Sequence, residues 1–433
     1  MDPTMRELDR IPTTDLSDEI RMRLSGPTMR PVPEPPRTGR RVTAAVVALA
    51  LFGTVAVLAW IAVASRTSDE VVPATPWSSI EPGWTELPPP PEFRNGAAVV
   101  WTGDSLIYWG GVPRDGNAEA PFADGYAFDP VSRRWSETPI APHGLAQADG
   151  IWTGDRLLVW GSTAALQETQ VPQGDFGSML TFDPAAGSWS GLPPSPHQSD
   201  YGGTWTWTGS ELIVFGGGRA GSPSSVSGAA LDPVSGAWRT IADAPLPLTL
   251  ANGIWTGEEM IVVGAALQPG NHATTPTAVA EAYSPSTDSW RVLQDPPLIP
   301  QSTEVVMLGD RIVAWDYVGG GAEYAADTDR WREVDGPPDS GECYVEGVAT
   351  RGAIFAWQCG RPDAWYPDVG WQDAVGGPAP EPRADGPYPI AGEAFAAGDV
   401  VVVEQVDNLI RDGEVVSIGD PEARAHLWAW RAP

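Results

Sequence analysis

The sequence predicts an all-β fold, a seven-bladed β-propeller, preceded by a single transmembrane helix and a short cytoplasmic tail. Three observations predict it. A Trp-Thr-Gly phrase recurs about 50 residues apart, which is the period of a four-stranded propeller blade. A second Trp follows in phase in most of the repeats, and one uncharged apolar run lies ahead of all of them.

The composition is typical of short strands joined by tight turns. The chain has 433 residues, of which 48 are Gly, 45 are Pro and 21 are Trp. Its formal net charge is −30, and all 26 basic residues are arginine. A chain this acidic repels nucleic acid and anionic lipid, so we expect no nucleic-acid partner. The charge could serve solubility alone, or it could bind cations.

The N-terminal part predicts a membrane anchor. Residues 42–64 carry no charge, and they are long enough to cross a hydrocarbon core of about 30 Å. Arginines cluster just before this run, so the positive-inside rule places residues 1–41 in the cytoplasm and the rest outside the cell. A cleaved signal peptide is the alternative, because Ala62-Val63-Ala64 resembles a cleavage site. The long preceding tail favours an uncleaved signal anchor in the plasma membrane.

The tail and the linker carry less information. Residues 1–41 are predicted to be largely disordered, although residues 5–24 could form a short helix with Leu16, Ile20 and Leu24 on one face. Such a helix could dock a cytoplasmic regulator such as a sigma factor. Residues 65–79 are predicted to be a linker between the anchor and the propeller.

The repeat can be counted by one glycine per unit. Four copies read Trp-Thr-Gly, and three later copies keep only the Gly. These glycines are Gly103, Gly154, Gly209, Gly257, Gly309, Gly352 and Gly398. A Trp about 30 residues later marks the fourth strand. These tryptophans are Trp135, Trp189, Trp238, Trp290, Trp331 and Trp371.

The first unit shows how each repeat divides into four strands. Residues 97–101 and 105–110 flank a tight turn at Gly103, where Gly is free to take positive φ. Residues 124–128 form the third strand, and Asp129-Pro130 opens the next turn. Trp135, on the fourth strand, is expected to pack between blades. Asp129 and its equivalents are therefore turn residues and not metal ligands.

The two ends of the repeat region predict how the ring closes. The last unit ends after a third strand at residues 427–430, and it lacks a fourth. Residues 82–90 match a fourth strand that no earlier strands precede, and they contain the unassigned Trp84. We therefore predict a propeller over residues 80–433 that residues 82–90 close. This closure removes two open sheet edges.

The repeats resemble the kelch family of propellers. The matching features are the paired glycines after the second strand (Gly110-Gly111 and Gly216-Gly217), the Asp-Pro turn and the Trp of the fourth strand. Arg94 stands where kelch repeats often carry an Arg. The resemblance covers residues 80–433 and is weaker in units five to seven. It implies a module that binds proteins or sugars, with a few enzymes in the family.

Two cysteines lie in the sixth unit, Cys343 and Cys359. If the hairpin between them centres on residue 351, they face each other on neighbouring strands. An exported domain meets an oxidising environment, so a cross-strand disulfide is predicted.

The loop lengths predict which face binds a ligand. The loops between second and third strands are long (111–123, 161–178, 217–228 and 264–278), and they share one face with the connections between units. The opposite face carries short, uniform turns and is expected to be featureless. Candidate ligand-binding residues on the long-loop face are Glu92, Arg94, His143, His197 and Asp200.

Three of these residues raise the question of a metal site. Glu92, His143 and His197 occupy the same position in three successive connections, and two His with a carboxylate can bind a transition metal if they converge. Independent roles in Pro-rich loops are the alternative. No cofactor is expected. Asp149, Asp200 and Glu304 are predicted to precede inner strands, so they could face the central channel or simply be turn residues.

The sequence thus predicts a non-catalytic, membrane-anchored module on the cell surface. It would bind a protein or glycan of the envelope through the long-loop face. A transmembrane sensor that reports to a cytoplasmic regulator through its tail is one alternative. A glycan-acting enzyme with a site at the channel mouth is the other.

Overall fold

A computed structural model of the chain describes residues 76–114, 120–164, 177–197, 201–218, 225–266, 277–299, 304–316, 319–338, 346–350, 352–358, 361–374, 392–406, 409–411, 414–416 and 425–433. Within them the chain forms seven four-stranded antiparallel sheets, which confirms the predicted seven-bladed propeller. The predicted tail, the predicted transmembrane segment and residues 65–75 of the linker lie outside this part. No helix among the described residues is long and apolar enough to cross a membrane.

The closing strand β1 and the strands of the first four blades come first in the chain. In chain order they are β1 (Gly83–Leu87), β2 (Arg94–Asn95), β3 (Ala98–Trp101), β4 (Leu106–Trp109), β5 (Val112–Pro113), β6 (Gly125–Asp129), β7 (Arg134–Glu137), β8 (Ala146–Trp152), β9 (Leu157–Ser162), β10 (Ser178–Asp183), β11 (Ser188–Leu192), β12 (Tyr201–Trp207), β13 (Leu212–Gly218), β14 (Gly228–Asp232), β15 (Ala237–Thr240), β16 (Leu248–Trp255), β17 (Met260–Ala266), β18 (Thr277–Ser284) and β19 (Ser289–Val292).

The remaining blades follow the same order. Their strands are β20 (Glu304–Leu308), β21 (Arg311–Trp315), β22 (Gly320–Ala325), β23 (Arg330–Asp335), β24 (Glu346–Ala349), β25 (Ile354–Gln358), β26 (Arg361–Tyr366), β27 (Gly370–Asp373), β28 (Gly392–Ala397), β29 (Val400–Val406), β30 (Leu409–Arg411), β31 (Glu414–Val416) and β32 (Ala425–Arg431).

Each blade pairs its strands in simple antiparallel order. Blade 1 is β3-β4-β6-β7, blades 2 to 6 are β8–β11, β12–β15, β16–β19, β20–β23 and β24–β27, and blade 7 is β28-β29-β32-β1. The pairs β2-β5 and β30-β31 are small separate ribbons. We call the end with the turns between first and second and between third and fourth strands the turn face. The loop face is the other end.

The first strands form the inner ring. Neighbouring first strands contact one another at β3 and β8, β12 and β16, β16 and β20, β20 and β24, β24 and β28, and β28 and β3. The second strands are buried on both sides, as in β4, β9 and β17, because a blade packs against each face. The fourth strands lie at the outer rim and are mostly exposed, as in β7.

The core consists of seven apolar clusters, one at each interface between blades. Between blades 2 and 3, for example, Leu158 and Met179 pack with Leu212 and Leu231. The other six interfaces have equivalent clusters. The protein is therefore stabilised by lateral packing of blades around a ring, and no blade has a core of its own.

A tryptophan of every fourth strand connects its blade to the preceding one. The indole Nε1–H donates a hydrogen bond to a backbone carbonyl just after, or at the end of, the fourth strand of the neighbour. The pairs are Trp135 to Pro88, Trp189 to Pro139, Trp238 to Pro193, Trp290 to Ala242, Trp331 to Gln294, Trp371 to Asp335 and Trp84 to Ala374, at 2.7–3.1 Å. The predicted packing of Trp135 between blades is thus confirmed, and the bonds form a closed cycle.

The predicted closure by the N-terminal strand is also confirmed. β1 pairs with β32, with Gly83 opposite Arg431 and Leu87 opposite Leu427. The segment just before β1 is more than a linker. Trp77 is only 1% exposed and packs in the cluster between blades 7 and 1, with its ring centroid 5.3 Å from that of Trp101. The folded unit therefore begins before residue 80, at the turn face.

The turns between third and fourth strands are stabilised by the Asp side chains that the sequence predicts. Asp129 accepts hydrogen bonds from Val131 N–H (2.8 Å) and the Ser132 hydroxyl (2.7 Å), and Asp232 makes the equivalent bonds in blade 3. The Ser hydroxyl bond is the main cause that lowers the pKa of Asp129. Asp129 is therefore a turn residue, as expected from the Asp-Pro pattern.

The paired glycines are required by close approach as well as by conformation. Gly110 and Gly111 have φ of 78° and 80°. A Cβ on Gly111 would lie 2.8 Å from Asn95 O, and one on Gly110 would lie 2.9 Å from Leu145 O. The connections between blades therefore pass directly over these glycines, and any side chain there would displace backbone.

The hairpin that separates the two cysteines has a different register from the predicted one. Ala349 pairs with Ile354 and Glu346 with Trp357, so the hairpin is not centred on residue 351. The premise that placed Cys343 directly opposite Cys359 is therefore wrong. Both cysteines lie outside the described residues, and the disulfide stays a prediction.

We expect that Trp290→Phe lowers the stability of the protein although it keeps an aromatic ring. The change removes the donor to Ala242 O, and loss of a partly buried hydrogen bond costs about 1–2 kcal/mol. The midpoint of thermal unfolding of the full-length protein measures it. Trp152→Phe is the control, because the indole of Trp152 makes no hydrogen bond to another described residue. Equal losses in both variants would contradict the role of the hydrogen bond.

Candidate functional site

The loop face has long connections over one continuous arc of the ring. The connections between second and third strands are long in blades 1, 2, 3, 4 and 7 but short in blades 5 and 6, where they span 316–319 and 359–360. Blade 7 neighbours blade 1, so the five blades with long loops are contiguous. The loops themselves lie largely outside the described residues, whereas the connections between blades beneath them are mostly described.

Arg94 is buried at the base of this face. It is 3% exposed, and its Nη1 donates to Asp124 O at 2.8 Å and forms an ion pair with Asp124 Oδ1 at 3.0 Å. Nη2 pairs with Glu92 at 3.3 Å, and the guanidinium lies 3.9 Å from the centroid of the Phe122 ring. The two carboxylates neutralise Arg94. It holds the entry to blade 1 against the loop after β4, and its carboxylate partners Glu92 and Asp124 remain open to solvent.

His143 and His197 hold the next two connections in a similar way. Nε2 of His143 lies 3.0 Å from the Ser178 hydroxyl. Nε2 of His197 donates to Gly216 O at 2.9 Å, and its Nδ1 lies 3.4 Å from the Ser227 hydroxyl. Burial lowers the pKa of His197, which favours the neutral ring. Because Nε2 of His197 carries the proton, that nitrogen has no lone pair for a metal.

The convergence of Glu92, His143 and His197 that a metal site would need is not found. Among the described residues, no group of three His, Cys, Asp or Glu side chains is arranged to hold a metal ion. Each of the three side chains contacts its own blade or connection instead. Asp200 lies outside the described residues.

Two further connections are fixed by buried carboxylates that the sequence analysis did not single out. Glu281 Oε1 accepts from Leu246 N–H at 3.1 Å, and Asp316 Oδ2 accepts from Ile299 N–H at 2.9 Å. Both acceptors belong to the blade that the connection enters. Polar side chains therefore attach the connection that leads into each of blades 1 to 5 to the blade that it enters. An isolated acid in the apolar run of β18 was the sequence signal for Glu281.

Glu281 is the most unusual carboxylate of this set. It is 0% exposed, and it lies on the same side of β18 as Val279 and Tyr283 in the core between blades 3 and 4. Its Oε2 has no hydrogen-bond partner among the described residues. Burial raises the pKa of Glu281 to about 7. The uncharged acid is the form that suits this position.

Acidic residues recur at one register position of the inner strands. Asp149 and Glu304 occupy equivalent inner-strand positions, opposite Trp160 and Trp315, and the register places Glu346 and Glu393 at the same position in blades 6 and 7. Asp149 is exposed to solvent, yet the surrounding protein desolvates its carboxylate and raises its pKa. The hydrogen bond from Gly150 N–H at 2.7 Å opposes this shift. The repeated register therefore brings acidic residues to one level of the inner strands.

The turn face is not featureless. A cavity of about 450 Å³ lies there between blades 3 and 4, within the size range of small-ligand sites. Its lining consists of one indole, hydroxyls, carboxylates and turn backbone, from Thr208, Ser210, Glu211, Trp255, Gly257, Glu258, Glu259, Ser284, Pro285 and Ser286. The expectation of a featureless surface is therefore wrong at this interface. The sequence signal was the Trp of each Trp-Thr-Gly phrase. In the structure this Trp ends each of the first four inner strands and is half-exposed.

No protein-family model matches the chain, and no curated protein matches it. The fold is therefore established by the blades themselves.

We expect the stability of the protein to fall as the pH rises through 7. The pKa of Glu281 is raised from 4.5 in the unfolded chain to about 7 in the folded protein. Its stabilising contribution, about 3 kcal/mol, is present in full below pH 4.5 and is lost as the pH rises through 7. Glu281→Gln, which keeps an acceptor for Leu246 N–H, should flatten this part of the pH profile.

Chemical unfolding of the full-length protein between pH 5 and pH 8 measures this effect. Glu137→Gln on the exposed fourth strand of blade 1 is the matched control and should leave the profile unchanged. A profile that is the same for wild type and Glu281→Gln would show that Glu281 is not the group responsible.

Proposed function

We propose that the chain is a kelch-like propeller that a signal anchor holds at the plasma membrane, where it binds an envelope protein or glycan through the loop face. The observation that carries this proposal is the contiguous arc of long loops over blades 7, 1, 2, 3 and 4. Loops on a rigid scaffold are where binding residues concentrate. A non-catalytic role needs only this arrangement.

The connections beneath the arc support it. They are held by partly buried hydrogen bonds of Arg94, His197 and Glu281 and by an exposed contact between His143 and Ser178. A fixed base reduces the ordering cost when a partner binds. Glu92 and Asp124 keep exposed surface at the rim and could accept hydrogen bonds from a ligand.

The segment before β1 enters the propeller at the end opposite the loop face. Trp77 packs against Trp101, the residue that ends β3 at its turn, so the chain enters the propeller at the turn face. The Arg431 guanidinium donates to Ile80 O at 2.9 Å and fixes this entry. The loop face is thus the end of the propeller away from the point where the chain enters it.

The kelch-like character rests on the features that the sequence shares with that family. The paired glycines at Gly110-Gly111 and Gly216-Gly217 have positive φ, the Asp-Pro turns have the expected hydrogen bonds, and the fourth-strand Trp connects neighbouring blades. These features support membership of a kelch-like group as a proposal. They agree with a binding role.

Photo-crosslinking from single exposed positions tests which face binds. Ile140 lies in the connection after β7 on the loop face and is 78% exposed, whereas Val234 lies in a turn of the opposite face and is 84% exposed. A photoreactive residue at Ile140 in the full-length chain on cells should label an envelope component. The same residue at Val234 should not. Labelling from Val234 alone, or from neither position, would contradict the proposal.

The anchor is tested by making its apolar run charged. Val55→Arg combined with Leu58→Arg adds about 2.5–3.5 kcal/mol per residue to insertion at the centre of the membrane. We expect the double variant to lose the membrane fraction that resists alkaline extraction. Val55→Leu with Leu58→Val keeps the run apolar and should fractionate like wild type. Membrane retention of the Arg variant would argue against a spanning segment.

A further inference from the structure

The turn-face cavity between blades 3 and 4 corresponds to a groove between blades 7 and 1. The side chain of Trp77 fills that groove. Its indole lies 5.3 Å from the Trp101 ring and 6.2 Å from the Phe128 ring, centroid to centroid. This part of the fold can therefore accommodate a flat ring against the Trp that ends a first strand.

The repeat makes the two grooves directly comparable. Trp255 ends β16 as Trp101 ends β3. Thr208 and Glu211 bracket the turn after β12 in the way that Ala397 and Val400 bracket the turn after β28. The blade 3–4 cavity therefore has the same aromatic wall as the groove that holds Trp77.

The other walls differ in polarity. Where the filled groove has Ala397 and Val400, both buried, the cavity has Thr208 and Glu211. Ser284 and Ser286, whose hydroxyls lie 3.0 Å apart, add further polar groups. The occupant should therefore have a flat face and a rim of hydrogen-bonding groups.

The polar groups of the cavity divide into those that are engaged and those that are available. Glu211 and Glu259 are held in ion pairs at 2.7 Å with Arg239 and Arg291. The carboxylate of Glu258 and the indole N–H of Trp255 have no hydrogen-bond partner among the described residues. With two of the three carboxylates neutralised, the cavity offers an indole face, one donor and several acceptors.

We propose that this cavity binds a saccharide unit, which stacks a pyranose face on Trp255. An indole provides a rigid apolar surface with a polar donor at its edge. The sugar hydroxyls donate to Glu258 and Glu211, and they exchange hydrogen bonds with Ser284 and Ser286. A cationic group would meet only one free carboxylate, and a plain aromatic ring would leave the hydroxyl walls without partners. This site is separate from the loop face and does not rest on the function proposed for it.

Calorimetric titration of the full-length protein tests the proposal, in a detergent without a sugar head group. The saccharide probes are glucose, N-acetylglucosamine and glucosamine, and arginine and N-acetyl-tryptophan amide represent the competing ligand classes. We expect at least one saccharide to bind with a dissociation constant on the order of 1 mM. Trp255→Ala, which removes the stacking surface, should weaken this binding at least about tenfold.

A second variant keeps the test decisive if Trp255→Ala fails to fold. Ser286→Phe, at an exposed turn position, should fill the cavity and weaken binding to the same degree. Val131→Phe is its matched control, because Val131 occupies the equivalent turn position in blade 1 beside the groove that Trp77 fills. It should bind like wild type.

Three results would overturn the proposal. They are the absence of saccharide binding up to about 10 mM, binding that Ser286→Phe leaves unchanged, and binding of arginine or N-acetyl-tryptophan amide alone.

Discussion

The hydrogen bond from the fourth-strand Trp to the preceding blade is the interaction on which the ring depends. Each bond joins two neighbouring blades and restricts the angle between them. The bond from Trp84 to Ala374 O joins blade 7, in which the two ends of the domain pair, to blade 6. Apolar packing between blades is strong but has little direction. The directional N–H···O=C bond fixes the offset of each blade, so that seven of them close without a gap.

The closed ring also determines which polar side chains of the loop face are available to a ligand. Polar side chains that could have served a ligand are instead used to hold the connections, with Arg94 between Glu92 and Asp124 and His197 on Gly216 O. A ligand can therefore contact the loops and the exposed oxygens of the carboxylates. The buried polar groups hold the backbone of the connections in place, and the exposed groups can vary without changing it.

The acidic character of the chain is organised by the same architecture. Asp149 and Glu304 lie at the same register position of two inner strands because the register is repeated in each blade. On the turn face, Glu211 is neutralised by Arg239. The repeat thus places acidic residues at one level of the inner ring, while part of the rim carries balanced charges.

The sequence by itself determined the number of blades, the closing strand and the Asp129 turns. These follow from local spacing, since a strand alternates with a period of two and a turn needs its own residues. Only the tertiary structure decided the partners of Arg94, His143 and Glu281, the place of Trp77 and the cavity beside Trp255. Those outcomes depend on how closely neighbouring blades approach, and that distance is set by packing between segments far apart in the chain, which no local pattern records.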